Sequence, residues 1–260
     1  MSDDFILRSL AGGVLLSLIT GPVGAFMLWR KRAFFGAAIA EGAILGVVIG
    51  FIWGLQAILG AGAACIAMAI AIEALLKDKR FSDDTVIGVI GHAALAGALI
   101  GAVYLKRTRV DFLGYLFGDI FSMSWDDVTL IAFSGVFVLL PIIGFWRPLI
   151  LATAEPEIAK AEGIPIHTLS FAFAVLLAVV VSLGLRAVGA LLIIALLVMP
   201  AAAARRLSRT PFEMVVLSTI LSMITIVTGV VLSFNFNWPG GPAITLAAVG
   251  LFAVILPFRR

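Results

Sequence analysis

FFGAAIAEGAILGVVIGFIWG, residues 34–54, decides the fold, because Glu41 is the one charge in twenty-one residues. A helix crosses the hydrocarbon layer of a membrane with about 20 apolar residues at about 1.5 Å of rise each. A helix on the surface of a soluble protein would carry a polar stripe at helical spacing, and none is present here. Outward from this stretch the same texture recurs. Runs near 5–28, 57–76, 85–105, 128–147, 168–185, 187–203, 212–234 and 242–258 are apolar and separated by charge clusters, glycines or prolines. The expected fold is all-α, a polytopic transmembrane helix bundle of eight or nine spans. The count depends on whether the two pieces flanking Leu185 form one broken helix. Residues 1–260 are read as a single transmembrane domain.

Composition agrees. Of 260 residues 62% are hydrophobic and 13% charged, with a mean hydropathy of +1.18, whereas soluble domains are about half apolar and a quarter charged. The cations lie between apolar blocks, so the net charge of +3 reflects membrane topology and not a nucleic-acid surface. Cys65, the single cysteine, sits inside an apolar run and reads as a small packed side chain. The run from Phe5 to Leu28 is too long for a signal-peptide core and is expected to remain as a membrane helix.

Loops rich in Lys and Arg stay cytoplasmic. Arg30, Lys31, Arg32, Lys77, Lys79, Arg80, Arg147, Lys160, Arg205, Arg206, Arg209, Arg259 and Arg260 fall on alternate loops and the tail. Lys106, Arg107, Arg109 and Arg186, the last taken as a loop residue, fall opposite. This places the amino terminus outside and the carboxyl terminus inside. Residues 111–127, DFLGYLFGDIFSMSWDD, are apolar and aromatic but too short to span, and fit an interfacial or re-entrant piece.

A charge near the bilayer centre costs about 2.5–3.5 kcal/mol on insertion scales, so each one needs a partner, a cavity or a task. Glu41 lies nine residues past Arg32, and His92 eight past Asp84. Both are thus roughly 12–14 Å inside the same boundary. On neighbouring helices a carboxylate and an imidazole at one depth suit a divalent metal in transit. They equally suit a polar contact between helices. Asp84, Glu73 and Arg8 lie near span ends, where capping or snorkelling accounts for them, and Ser82–Asp84 reads as a helix cap. In the loop from Arg147 to His167, residues 154–164 offer a short helix begun by Pro156 and stopped by Gly163. No Walker A sequence, catalytic triad or dinucleotide glycine fingerprint occurs, so energy comes from a partner or a gradient.

Several blocks resemble the permease subunits of bacterial zinc and manganese ABC importers. They are GPVGAFMLWRKRAFFG (21–36), DTVIG then GH (84–92), VDFLGYLFGDIF (110–121), VGALLIIALLVMPAAAARRLSRTP (188–211) and WPGGP (238–242). The resemblance implies a homodimeric permease in a bacterial inner membrane. It implies an extracytoplasmic metal-binding protein that supplies the ion, a cytoplasmic ABC ATPase that drives transport, and no enzymatic activity in this chain. It also implies that 154–164 is a coupling helix, with Glu157, Ala159 and Gly163 at the family's recurrent positions. The cargo would be a divalent ion, zinc or manganese with iron compatible, and no cofactor is held permanently. Glu41 and His92 would line the path, with Asp84 a weaker third.

The chain departs from the family pattern at Ala37 and Glu41, where an aspartate and a histidine are usual, and at Asn237, where an aspartate is frequent. Those departures keep open an ABC permease for a metal chelate or other small solute. A proton-driven secondary transporter would show inverted repeats, and none is evident.

Overall fold

The computed structural model of the chain describes residues 2–76, 80–104, 114 and 117–258. Lys77, Lys79, Lys106–Arg109, most of 110–116 and the Arg259–Arg260 tail lie outside them. Among the described residues ten helices are delimited: α1 Ser2–Trp29, α2 Phe35–Ile52, α3 Ala57–Leu75, α4 Asp83–Tyr104, α5 Trp125–Gly144, α6 Trp146–Ala154, α7 Pro156–Ala161, α8 Ile166–Leu207, α9 Pro211–Phe236 and α10 Gly240–Ile255. A 3-10 turn covers Ile120–Ser122. No strand occurs among the described residues.

Seven of the helices are long and apolar enough to cross a membrane, and α10 is a shorter apolar helix. The sequence pieces 168–185 and 187–203 belong to α8, which runs 42 residues with non-helical backbone at Gly189 (φ 80°, ψ 166°). Eight helices, one of them broken, therefore account for the nine apolar runs. Arg186 lies within α8, so it is not a loop residue. Pro22, Pro141 and Pro200 sit inside α1, α5 and α8, as membrane helices tolerate when neighbours satisfy the freed carbonyls.

The chain divides into two packed units, Met1–Leu28 with Leu113–Phe137 and Leu183–Arg260, and Trp29–Phe112 with Val138–Ser182. In the first unit, small residues let α1 approach its neighbours closely. A Cβ on Gly24 would lie 2.1 Å from the Leu197 carbonyl oxygen, and one on Gly21 2.6 Å from the Thr219 Cα. Contact of this kind replaces a hydrophobic driving force that lipid does not supply. Helix α9 is capped at both ends. The Thr210 hydroxyl accepts from Glu213 N, and the Glu213 carboxylate accepts from the Thr210 and Arg209 amides. At the far end Asn237 takes the left-handed conformation (φ 53°), which Asn adopts at low cost, and its amide reaches Ser233 O.

The segment expected to be interfacial or re-entrant is, in residues 117–123, a strap of this unit anchored at two buried side chains, with Phe117, Asp119 and Ser122 exposed. Ile120 and Met123 are buried, and the Ser9 hydroxyl donates to Ile120 O at 3.0 Å. Gly118 (φ 63°) lies against the break in α8, where a Cβ would meet Val188 O at 2.0 Å. Irregular backbone is tolerated in a membrane protein where protein covers it. Beside the break, Arg186 pairs with Asp127 at 3.1 Å, and Asp127 in turn accepts from the Ser124 hydroxyl at the start of α5.

In the second unit α2 packs against α3 and α4. Gly46 meets the Gly60 carbonyl, Gly42 meets Met68, and Gly91 of α4 meets Ala38. Cys65 is buried in α3, with its sulfur 3.9 Å from Ile39 O.

Candidate metal site

Glu41 stands on the second turn of α2 and His92 in the middle of α4. Their side chains meet: His92 Nδ1 is 3.5 Å from Glu41 Oε2. Two donors each about 2.1 Å from one ion and separated by a tetrahedral angle lie about 3.4 Å apart. The spacing therefore fits an ion held between them. Gly91 makes the approach possible, since a Cβ there would come within 2.4 Å of Glu41 Oε2. The Glu41 side chain is 20% exposed and that of His92 82%. An imidazole so exposed on a membrane helix belongs toward a cavity or another protein surface and not toward lipid.

The pair opens into a cleft of about 430 Å³ lined also by Phe34, Ala37, Ala38, Asp84, Ile87 and Gly88. Asp84, Gly88 and His92 recur every four residues on one face of α4, and a Cβ on Gly88 would meet open space. Asp84 thus shares the cleft with the pair. Among the described residues no three His, Cys, Asp or Glu side chains converge on one point. The amide of Thr85 donates to the Ser82 hydroxyl at 3.3 Å, so Ser82 caps α4 as the Ser-Asp-Asp sequence leads one to expect.

Two residues before Phe34 and one before Asp84 of the cleft lining, Arg32 and Asp83 belong to an ion cluster that spacing alone does not reveal. Arg32, between α1 and α2, binds Glu73 of α3 at 2.5 Å and Asp83 of α4 at 2.8 Å. Side-chain exposures of 17% for Arg32 and 11% for Glu73 mark a largely buried pair. Glu73, read from sequence as a snorkelling or capping residue, is instead tied to a cation. Arg30 beside it donates to the Ser170 hydroxyl at 3.3 Å and lies 4.7 Å over the Phe173 ring. Burial, and then the neighbouring Arg32 charge, lower the Arg30 pKa to about 10 against an opposing pull from Glu73.

With this architecture in view, residues 2–259 match the family described as the ABC 3 transport family. The chain belongs to the ABC 3 transport family. It is 37% identical over 257 residues to the high-affinity zinc uptake system membrane protein ZnuB of Haemophilus influenzae, covering 99% of this chain and 98% of that protein. It is 32% identical over 258 residues to the manganese transport system membrane protein MntC of Halalkalibacterium halodurans, covering 99% of this chain and 88% of the relative. Among solved structures, PsaBC from Streptococcus pneumoniae in complex with Fab superposes with a TM-score of 0.84 at 28% identity, over 98% of this chain and 95% of that one. The resemblance read from the sequence blocks is thereby shown, and the chain is a multi-pass membrane transport subunit of the ABC 3 family.

The remaining residues singled out in this ABC 3 chain fall in two places. Ala37 lines the cleft on the same face of α2 as Glu41, four residues earlier. Asn237 is the left-handed cap of α9. In 154–164, Ala154 closes α6, Glu155 links the two helices, and α7 covers Pro156–Ala161. Glu157 is exposed and pairs with Lys160 at 2.8 Å, whereas Ala159 is buried. Gly163 has φ 75°.

Proposed function

We propose that this chain is the membrane-spanning permease subunit of an ATP-driven importer of a divalent transition metal, zinc or manganese. Glu41 and His92 line the path, and Asp84 lies toward its mouth. The observation that carries the reading is the 3.5 Å meeting of a carboxylate and an imidazole in a cleft between membrane helices. Two protein donors leave the rest of the coordination shell to water, which suits an ion that must be released. The zinc and manganese systems named among the relatives support this class of cargo.

Transport would run from outside to inside through a homodimer. An extracytoplasmic metal-binding protein supplies the ion, and a cytoplasmic ABC ATPase hydrolyses ATP, for which this chain carries no Walker A sequence. The segment 154–164, with Glu157, Ala159 and Gly163, couples the two. The amino terminus lies outside and the carboxyl terminus inside.

The test is uptake of labelled zinc and manganese into vesicles holding the chain, its ATPase and its binding protein. Accumulation of at least one metal that requires ATP is the expected result. Accumulation of neither would overturn the proposal. A chelate cargo is favoured by one observation, the methyl group of Ala37 in the cleft wall where a further ligand could stand. It predicts uptake of the chelate alone.

A further inference from the structure

The chain holds two histidines, and each lines a cavity together with a glutamate from another helix. His92 does so with Glu41 in the cleft between α2 and α4. His167, in the first turn of α8, lines a second cavity of about 350 Å³ with Glu73, in the last turn of α3. Thr168 adds a hydroxyl there, and Ile70, Ala74 and Phe171 supply apolar wall. Within each helix these residues lie three and four apart, so α3 and α8 each turn one face to the cavity.

Packing does not account for this second meeting of a carboxylate and an imidazole. His167 is exposed and makes no hydrogen bond or ion pair among the described residues. The Glu73 side chain is largely buried, and Arg32 takes its Oε1. Oε2 accepts no hydrogen bond among the described residues.

Arg32 connects the two cavities. It binds Asp83, whose neighbour Asp84 lines the first, and Glu73, which lines the second. Arg30 reaches Ser170, one turn beyond His167. Two guanidinium groups this near repel a divalent cation, so Glu73 and His167 hold one only weakly. When Glu73 turns to a metal, Arg32 keeps Asp83 as counter-ion, and its charge is not left unpaired. Weak binding by two donors suits release, whereas a structural site closes its coordination shell with four.

We propose that Glu73 and His167 form a second, weaker station for the transported divalent metal, from which the ion leaves for the cytoplasm, with Arg32 between this station and the Glu41–His92 pair. The inference rests on the permease reading and deepens it by assigning the end of the path.

The experiment is pulsed EPR of copper(II) bound to the full-length chain in detergent, purified without a histidine tag. Copper is the probe because it binds a nitrogen and oxygen site more tightly than zinc or manganese. With two histidines in the chain, each single variant reports on one imidazole. Imidazole nitrogen modulation is expected in His92→Ala and in His167→Ala, and its loss when both are replaced. In the His92→Ala chain, adding Glu73→Gln should weaken copper binding about tenfold or more, and excess zinc or manganese should displace the copper. Gln keeps an acceptor for Arg32, and thermal melts confirm that each variant is folded. In reconstituted vesicles His167→Ala should lower the maximal rate of uptake severalfold with half-saturation unchanged. No modulation in His92→Ala, or copper affinity there indifferent to Glu73→Gln, would overturn the second station and leave the Glu41–His92 pair standing. An unchanged maximal rate in His167→Ala would overturn its place on the path. Absence of modulation in His167→Ala would overturn the Glu41–His92 pair itself, and with it the order of the two stations.

Discussion

Substituting Gly91 by alanine adds one methyl group to the buried side of α4, directly behind the Glu41–His92 pair. The new Cβ would stand 2.4 Å from Glu41 Oε2 and 3.0 Å from the Cα and Cβ of Ala38. The Ala38 backbone is already at the limit of approach, so the carboxylate is what yields, by at least about 0.6 Å, to reach an allowed contact. That displacement spoils the 3.5 Å spacing to His92 Nδ1, because functional groups must be held within about 0.5 Å of their working geometry. Disturbing the support of a metal ligand costs about 10–100-fold in metal affinity, and the half-saturation for uptake should rise accordingly. Overpacking of this size costs about 1–3 kcal/mol, or a fall of about 2–10 °C in melting temperature for a chain this long. The assay is uptake against metal concentration, with a detergent melt run in parallel. Gly97→Ala on the same helix, outside the cleft lining, is the control, since its Cβ meets only Leu45 side-chain atoms at 3.4 Å and beyond, and it should leave uptake and melting nearly unchanged. Gly91→Ala transport with wild-type half-saturation would refute the reasoning.

Three further expectations concern the frame around the site. Arg32→Ala leaves Glu73 buried without its cation and should cost about 2–3 kcal/mol, less than a fully buried pair because both groups keep some exposure; in detergent melts the double variant with Glu73→Ala should recover part of the loss. Gly189→Ala places a side chain at φ 80°, 2.4 Å from Gly118 N, and should abolish recovery of monodisperse protein, whereas Gly144→Ala, with open space around its Cβ, should not. Thr210→Ala removes the side-chain cap of α9 and should cost about 1 kcal/mol, with faster amide exchange confined to the first turn of that helix.

Much of this was readable from residues 34–54 and their neighbours, because membrane spans are long, continuous and nearly free of charge. The pairing of Glu41 with His92 was legible for the same reason: only a few polar side chains lie at that depth, and equal distance from a basic boundary brings two of them level. Gly91 was not, since what makes it matter is a neighbouring helix and not its own. Arg32, Glu73 and Asp83 come together from three separate loops or helix ends, and hydropathy registers each only as a boundary. Thr210 and Glu213 did carry a sequence signal, the capping-box spacing ahead of an apolar run. Arg186 was misread because a charge between two apolar runs resembles a loop, while α8 continues through it and breaks three residues later at Gly189. The strap at 117–123 was half legible. Its length excluded a span, but only the approach of Gly118 to the break in α8 accounts for irregular backbone there.

The most direct test of the central claim is ATP-dependent uptake of zinc and manganese by wild type, Glu41→Ala and His92→Ala, each reconstituted with the ATPase and binding protein and matched for ATPase association. The account predicts that each substitution removes most of the uptake of the transported metal while leaving the complex assembled. Undiminished uptake in both variants would contradict the assignment of Glu41 and His92 to the metal path.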